Sequence, residues 1–300
     1  MISKFSTIVL SLFLAVHGYA QVPNSDLAKR VLMAPESVFK MFREAGMNPV
    51  NHELTEIERA KVEKAFAILP PLYQKTLKGH LHSISFMDNM PNTALTSPVE
   101  SSDSIKMFNI TFRAGILNET ISEWATQKEY TCYDRTANPD LAISIEAGEL
   151  DAIQYILLHE ATHVVDVVLN ITPHPQERGE LVEPTPYTKN IWYKMNIPTE
   201  PFIDSLLEKT RFRSGKTLPI ALAPEIYKAL RKTPFASLYG MASWSEDLAE
   251  LATIYHLTNK MNQPFRVVVK KKDLELIKFE PMKNKRVKKR LAQLEFFYKS

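Results

Sequence analysis

The stretch Asp151-Ala-Ile-Gln-Tyr-Ile-Leu-Leu-His159-Glu160-Ala-Thr-His163-Val-Val-Asp166-Val-Val-Leu-Asn170 decides how this chain folds. Ile153, Ile156, Leu157, Ala161, Val164, Val165 and Val168 recur at helical spacing and leave almost no polar side. The pattern predicts a helix buried on most of its circumference. Asp151 as N-cap, with Gln154 three residues on, marks its start. Inside it, His159-Glu160-Ala161-Thr162-His163 reads H-E-x-x-H. Residues i and i+4 lie one turn apart on one face, so two imidazoles can grip one zinc ion. Glu160 sits beside them, within reach of a water on that ion.

A catalytic zinc needs a third protein ligand and one open position. A ligand six residues past His163 with a glycine midway is excluded, because those positions are Leu169 and Asp166. Glu183 lies twenty residues on but is followed by Pro184, with Pro186 close by, which argues against a helix there. Glu246, in Ser245-Glu246-Asp247-Leu248-Ala249-Glu250, is the third candidate. Three residues after Ser243, it could merely close a capping box. Yet Glu246 and Glu250 share a helix face and repel unless a positive group lies near. A zinc ion on Glu246, with Glu250 behind the ligands, removes that repulsion.

Around this centre the sequence predicts further elements. Thr55 and Glu58 form a capping box for a helix with Val62, Ala65, Phe66 and Leu69 on one face, stopped by Pro70-Pro71. Residues 21–75 read as helical, with a second amphipathic stretch through Leu72, Leu77 and Leu81. His82–Met87, Lys106–Arg113 and Ala142–Glu146 read as strands, the last ending at Gly148. Residues 88–103 read as a turn-rich link, and the six prolines of 171–201 as a surface excursion. Trp244 to Leu257 reads as a helix with Trp244, Leu248, Leu251 and Tyr255 as its apolar stripe. Residues 266–300 carry twelve Lys/Arg against four Asp/Glu. A strand at Arg266–Lys270 and a helix at Lys283–Phe297 with a solvated basic face are expected there.

Composition and charge bound the function. At 300 residues and 45% hydrophobic the chain buries a full core, and a net charge of +3 gives no footprint for nucleic acid. Lys4, the apolar run Thr7–Val16 and Gly18-Tyr19-Ala20 have the layout of a signal peptide over 1–20, cut before Gln21. This implies a secreted or periplasmic protein. No cysteine stands at the cut, which argues against a lipid anchor, and no later segment reads as a membrane span. Cys132 is the single cysteine, so no intramolecular disulfide exists, and an apolar packing role is expected for it. Asn109, Asn118 and Asn170 open N-x-Thr sequons, relevant only to a eukaryotic secretory route. His80 and His82 are a weaker candidate metal pair with no acid or cysteine partner near them, and His174 and His256 read as surface or packing residues.

The combination resembles gluzincin-type zinc endopeptidases similar to anthrax lethal factor and the Pro-Pro endopeptidases. The residues that carry it are HEATHVVD at 159–166, Tyr239-Gly240 seven residues before Glu246, and the E-x-x-A-E of 246–250. The resemblance covers roughly residues 140–258. It implies an α+β, zincin-like metalloprotease fold, with a small mixed sheet over the H-E-x-x-H helix and a mostly helical second half. It implies one Zn2+ on His159, His163 and Glu246, Glu160 as general base and Tyr239 as transition-state donor. Asp166 and Glu250 would orient the histidines from behind, and the substrate would be a protein or peptide. The 83 residues from His163 to Glu246 exceed the spacing expected of these relatives, which the proline-rich insertion 171–201 explains. The expected organisation is a signal peptide, an N-terminal helical segment 21–75 and a peptidase domain 76–300 ending in the basic segment 266–300. A strand at 106–113 or 142–146 would pair with an extended substrate. Two other readings use the same residues: a zinc amidase acting on non-protein amides, and a secreted zinc-containing binding protein without catalysis.

Overall fold

Helix Ala152–Leu169 forms where its periodicity places it, and thirteen of its eighteen residues are buried. The computed structural model describes residues 25–99, 105–177 and 179–299. The expected signal peptide therefore lies outside the described residues. Asp151 occupies the N-cap position but does not cap with its side chain, which pairs with Lys61 at 2.9 Å. Asn170 ends the helix in the left-handed region at φ 50°. Contrary to the expectation that no later segment could cross a bilayer, this helix is long and apolar enough to do so. Its surroundings make it a core helix instead. Helices Glu56–Ala67, Pro71–His80, Ile121–Tyr130 and Trp244–Tyr255 pack around it. Each buried Ile, Leu or Val side chain contributes roughly 1.5–3 kcal/mol, and this helix buries six of them.

The architecture is α+β. A four-stranded mixed sheet has the order Val50–Asn51, Leu81–Asp88, Phe108–Arg113, Ala94–Pro98, with the two central strands parallel and the outer pairings antiparallel. Ala94–Pro98 lies within the expected turn-rich link and is instead the edge strand that touches the motif helix. Its Asn, Ser, Thr and Pro neighbours hide it, and pairing with Phe108–Arg113 makes it a strand. Leu141–Glu146 does not join this sheet. It pairs with Arg266–Lys271, which pairs with Leu274–Phe279, in a separate antiparallel sheet. Gly148, at φ +78°, turns the chain from that sheet into the motif helix.

Thr55 and Glu58 form the expected reciprocal capping box. The expected boundary at 75/76 falls inside helix Pro71–His80, and residues on both sides share one core with the motif helix. Helix Glu36–Glu44 makes a smaller core of its own, where Val38 and Phe42 meet Met87, Met90 and, half-buried, Leu95.

The second half is not mostly helical. Beyond the motif helix the described chain has helices Ala223–Leu230 and Trp244–Tyr255, the hairpin Arg266–Phe279 and many short turns. The excursion at 171–201 is pinned at several points, with Thr172, Tyr187, Thr188 and Trp192 buried. The expected helix Lys283–Phe297 is broken into Lys285–Lys288 and a 3-10 run Leu291–Tyr298. The break lets Arg290 turn inward, where its guanidinium is buried against Asp247. This basic segment is therefore not only a solvated face.

Candidate metal centre

The motif helix and helix Trp244–Tyr255 pack side by side and bring three donor atoms together. His159 Nε2 lies 3.1 Å from Glu246 Oε2 and 3.2 Å from His163 Nε2. His163 Nε2 lies 3.6 Å from the same carboxylate oxygen. Bonds of 2.0–2.1 Å to a tetrahedral ion separate ligand atoms by roughly 3.3–3.4 Å, so this triangle is the size such an ion requires. The protonated alternative fits poorly: two ring nitrogens facing each other at 3.2 Å can hold only one proton between them.

Electrostatics point the same way. Burial disfavours the imidazolium of His159, yet Glu246 and Glu250 outweigh it and lift the group to about 10. His163 is raised too, with Glu246 overcoming burial and the neighbouring His159. Burial works against the charge on Glu246, but His163 and His159 hold it well below the usual carboxylate range. For Glu250, Lys128 and His159 overcome burial and bring it to about 2. The pocket is built for positive charge, and a divalent cation on these donors satisfies it without the crowded protons.

Local structure explains the placement of each ligand. Ser243 caps the second helix by accepting from the Glu246 backbone N–H at 3.2 Å. The Glu246 side chain does not complete a capping box; it goes to the histidines. Behind the ligands, His159 Nδ1 lies 3.2 Å from Glu250 Oε1, within ion-pair distance but off the line of a straight hydrogen bond. Ser237 Oγ donates to Glu250 Oε2 at 2.6 Å and accepts from Gly240 N at 2.9 Å. The turn Tyr239–Met241 is thus tied to the acid that backs His159.

Tyr239 stacks on the His159 ring at 5.8 Å and meets Phe212 edge-on at 4.9 Å. Burial and the carboxylates of Glu246, Glu160 and Glu250 push its phenol up, keeping it an O–H donor. Glu160 is held by Thr96 of the edge strand, whose Oγ1 donates to Oε2 at 2.6 Å. His163, Glu160, Tyr239 and Glu246 all line one open cleft of about 740 Å³.

Asp166 has a different place. Its two oxygens accept from Thr172 N at 2.7 Å and Thr172 Oγ1 at 2.6 Å, which fixes the chain as it leaves the motif helix. It has no bond to either ligand histidine, so the expected orienting role is corrected to a loop anchor. Glu183 is exposed and outside the donor cluster. His80 bonds the Lys106 carbonyl and His256 the Tyr298 hydroxyl. Cys132 is buried, as its packing role requires. Thr96, Ser237 and Lys128 complete the surroundings and carry no motif that sequence reading could have caught. No family model, curated protein or solved structure matches the chain.

Proposed function

We propose that this chain is a secreted or periplasmic zinc metallopeptidase of zincin-like, gluzincin type. The observation that carries the reading is the ligand-sized triangle of His159 Nε2, His163 Nε2 and Glu246 Oε2, with Glu160 and Tyr239 opening on the same cleft. These three side chains would hold the zinc ion. When bound, the ion lowers the pKa of water to about 7 and polarises the scissile carbonyl. Glu160 takes the proton of the attacking water on one carboxylate oxygen while Thr96 steadies the other. It then delivers that proton to the leaving amine. Tyr239 donates its O–H to the oxyanion, a contribution of roughly 3–4 kcal/mol for one such donor. Glu250, braced by Ser237 and Lys128, keeps His159 oriented.

Substrate binding is assigned to the edge strand Ala94–Pro98, not to either strand expected from the sequence. Phe108–Arg113 is paired on both sides, and Leu141–Glu146 belongs to the other sheet. Ala94–Pro98 ends its sheet and lines the cleft, so its free backbone groups suit an extended peptide.

The test compares zinc content and hydrolysis of a broad peptide and amide panel for the wild type, Glu246→Ala and Glu160→Gln. Expected are about one zinc per wild-type chain, little in Glu246→Ala, and full zinc with at least about a hundredfold slower hydrolysis in Glu160→Gln. Zinc with no hydrolysis of any panel member would favour a binding protein. Hydrolysis confined to non-peptide amides would favour an amidase.

A further inference from the structure

Two half-clefts meet at Glu160 and Tyr239, and their walls differ in character. The larger, about 740 Å³, is walled mainly by apolar groups such as Leu95, Val99, Ile105 and Phe108, with exposed Lys106 beside them. The smaller, about 400 Å³, carries Lys128 and Arg211 beside Trp124 and Phe212. Among the described residues, Glu160 is the sole carboxylate lining it.

The two cations differ in how they are held. Lys128 Nζ sits 3.7 Å over the Tyr239 ring and 3.6 Å from Glu250 Oε1, so it is fixed. Arg211 is exposed and makes no ion pair among the described residues. One of its nitrogens donates to the Thr131 carbonyl at 3.1 Å, which leaves the rest of the guanidinium fork open. A planar fork and a fixed ammonium lining one half-cleft suit a carboxylate.

The edge strand supplies direction. Asn92 and Thr93 border the smaller half, Ala94 both, and Thr96, Pro98 and Val99 the larger. A peptide added antiparallel to this strand runs from the larger half to the smaller. Residues on the C-terminal side of the scissile bond therefore enter the basic half.

Resting on the metallopeptidase reading, we propose that Lys128 and Arg211 form a subsite for a carboxylate just C-terminal to the cleaved bond. That carboxylate is either an acidic side chain or the terminus of the substrate. The preferred substrate is then a peptide with apolar residues before the cut and a negative charge after it.

The test measures binding, by calorimetry, of three hydroxamates to the zinc-loaded full chain. Each places a short peptide on the C-terminal side of the metal-binding group: one with Glu and an amide end, one with Gln and an amide end, one with Gln and a free carboxylate. We expect one or both charged probes to bind about tenfold more tightly than the neutral one. That preference shrinks in high salt. It disappears in Arg211→Gln and persists in part in Arg211→Lys, with the neutral probe as reference in each variant. Whichever charged probe is favoured identifies side chain or terminus as the source. Equal affinity for all three overturns the subsite and leaves the metal centre standing. Failure of all three to bind, with no zinc retained, overturns the metal reading and this inference with it.

Discussion

Glu246 and Asp247 are neighbours on one helix, and their charges are neutralised in opposite ways. Asp247 is fully buried and receives two guanidinium nitrogens of Arg290, at 2.8 and 2.5 Å, and Trp192 Nε1 at 3.0 Å. Its hydrogen-bonding capacity is met by protein. Glu246 stays about a fifth exposed at the cleft and meets two imidazoles crowded against each other. A charge met by a guanidinium is architecture, and donor atoms converging at ligand spacing on an open cleft are a candidate place for an ion. A third acid extends the contrast. Glu129 is buried with the Tyr227 hydroxyl as its hydrogen-bond partner. Burial outweighs that bond and nearby Lys128, and its carboxyl rises to about 7. Asp247 is paired with an arginine, Glu246 with two histidines that could hold a cation alongside it, and Glu129 is held toward its protonated form.

The largest expected effect tests the first of these. Arg290→Met strands the Asp247 carboxylate and should cost about 3–5 kcal/mol in urea unfolding. Asp247→Asn combined with Arg290→Met should recover much of it while keeping an acceptor for Trp192. A single-variant loss under about 1 kcal/mol would break the contrast, because the pair would then be no foundation.

Glu129 gives a smaller effect with a sign. Its folded pKa is above that of the unfolded chain, so the native state keeps a proton that the unfolded state releases. Stability from this group is therefore complete below about 4.5 and lost as pH rises to about 7. Subtracting the Glu129→Gln profile from the wild type should reveal a decline on the order of 3 kcal/mol across that window. Parallel profiles would mean that Glu129 is ionised in the fold. The smallest effect sharpens the Glu246 side: Ser237→Ala frees Glu250 and should weaken zinc binding about tenfold without unfolding the chain. Competition with a chelator would measure it, and an unchanged affinity would remove Ser237 from the centre.

What could be read in advance follows from how far apart the determining residues are. His159 and His163 are fixed by one turn of helix, and their identity and spacing suffice. Glu246 was legible because a second acid one turn away posed a local electrostatic problem. Tyr239 was reached only through its spacing in a resemblance. The edge strand was hidden, because Ala94–Pro98 is a strand by virtue of Phe108–Arg113 and the helix beneath it. Asp166 matched a motif but lies where Thr172 returns to the helix, and no pattern in the sequence forecasts that turn. The C-terminal helix failed for a similar reason. Its periodicity is real, but burying Arg290 beside Asp247 requires the chain to break.

That last contact also sets an order in time. Glu246 is presented by a helix whose adjacent Asp247 has its guanidinium partner 43 positions later. A nascent chain that has emerged only through Asp247 has all three candidate ligands, yet an unpaired carboxylate where the helix must seat. The Asp247 carboxylate gains its guanidinium partner only once Arg290 is available to the folding chain. A chain assembled this way cannot finish seating this helix until nearly its whole length is present.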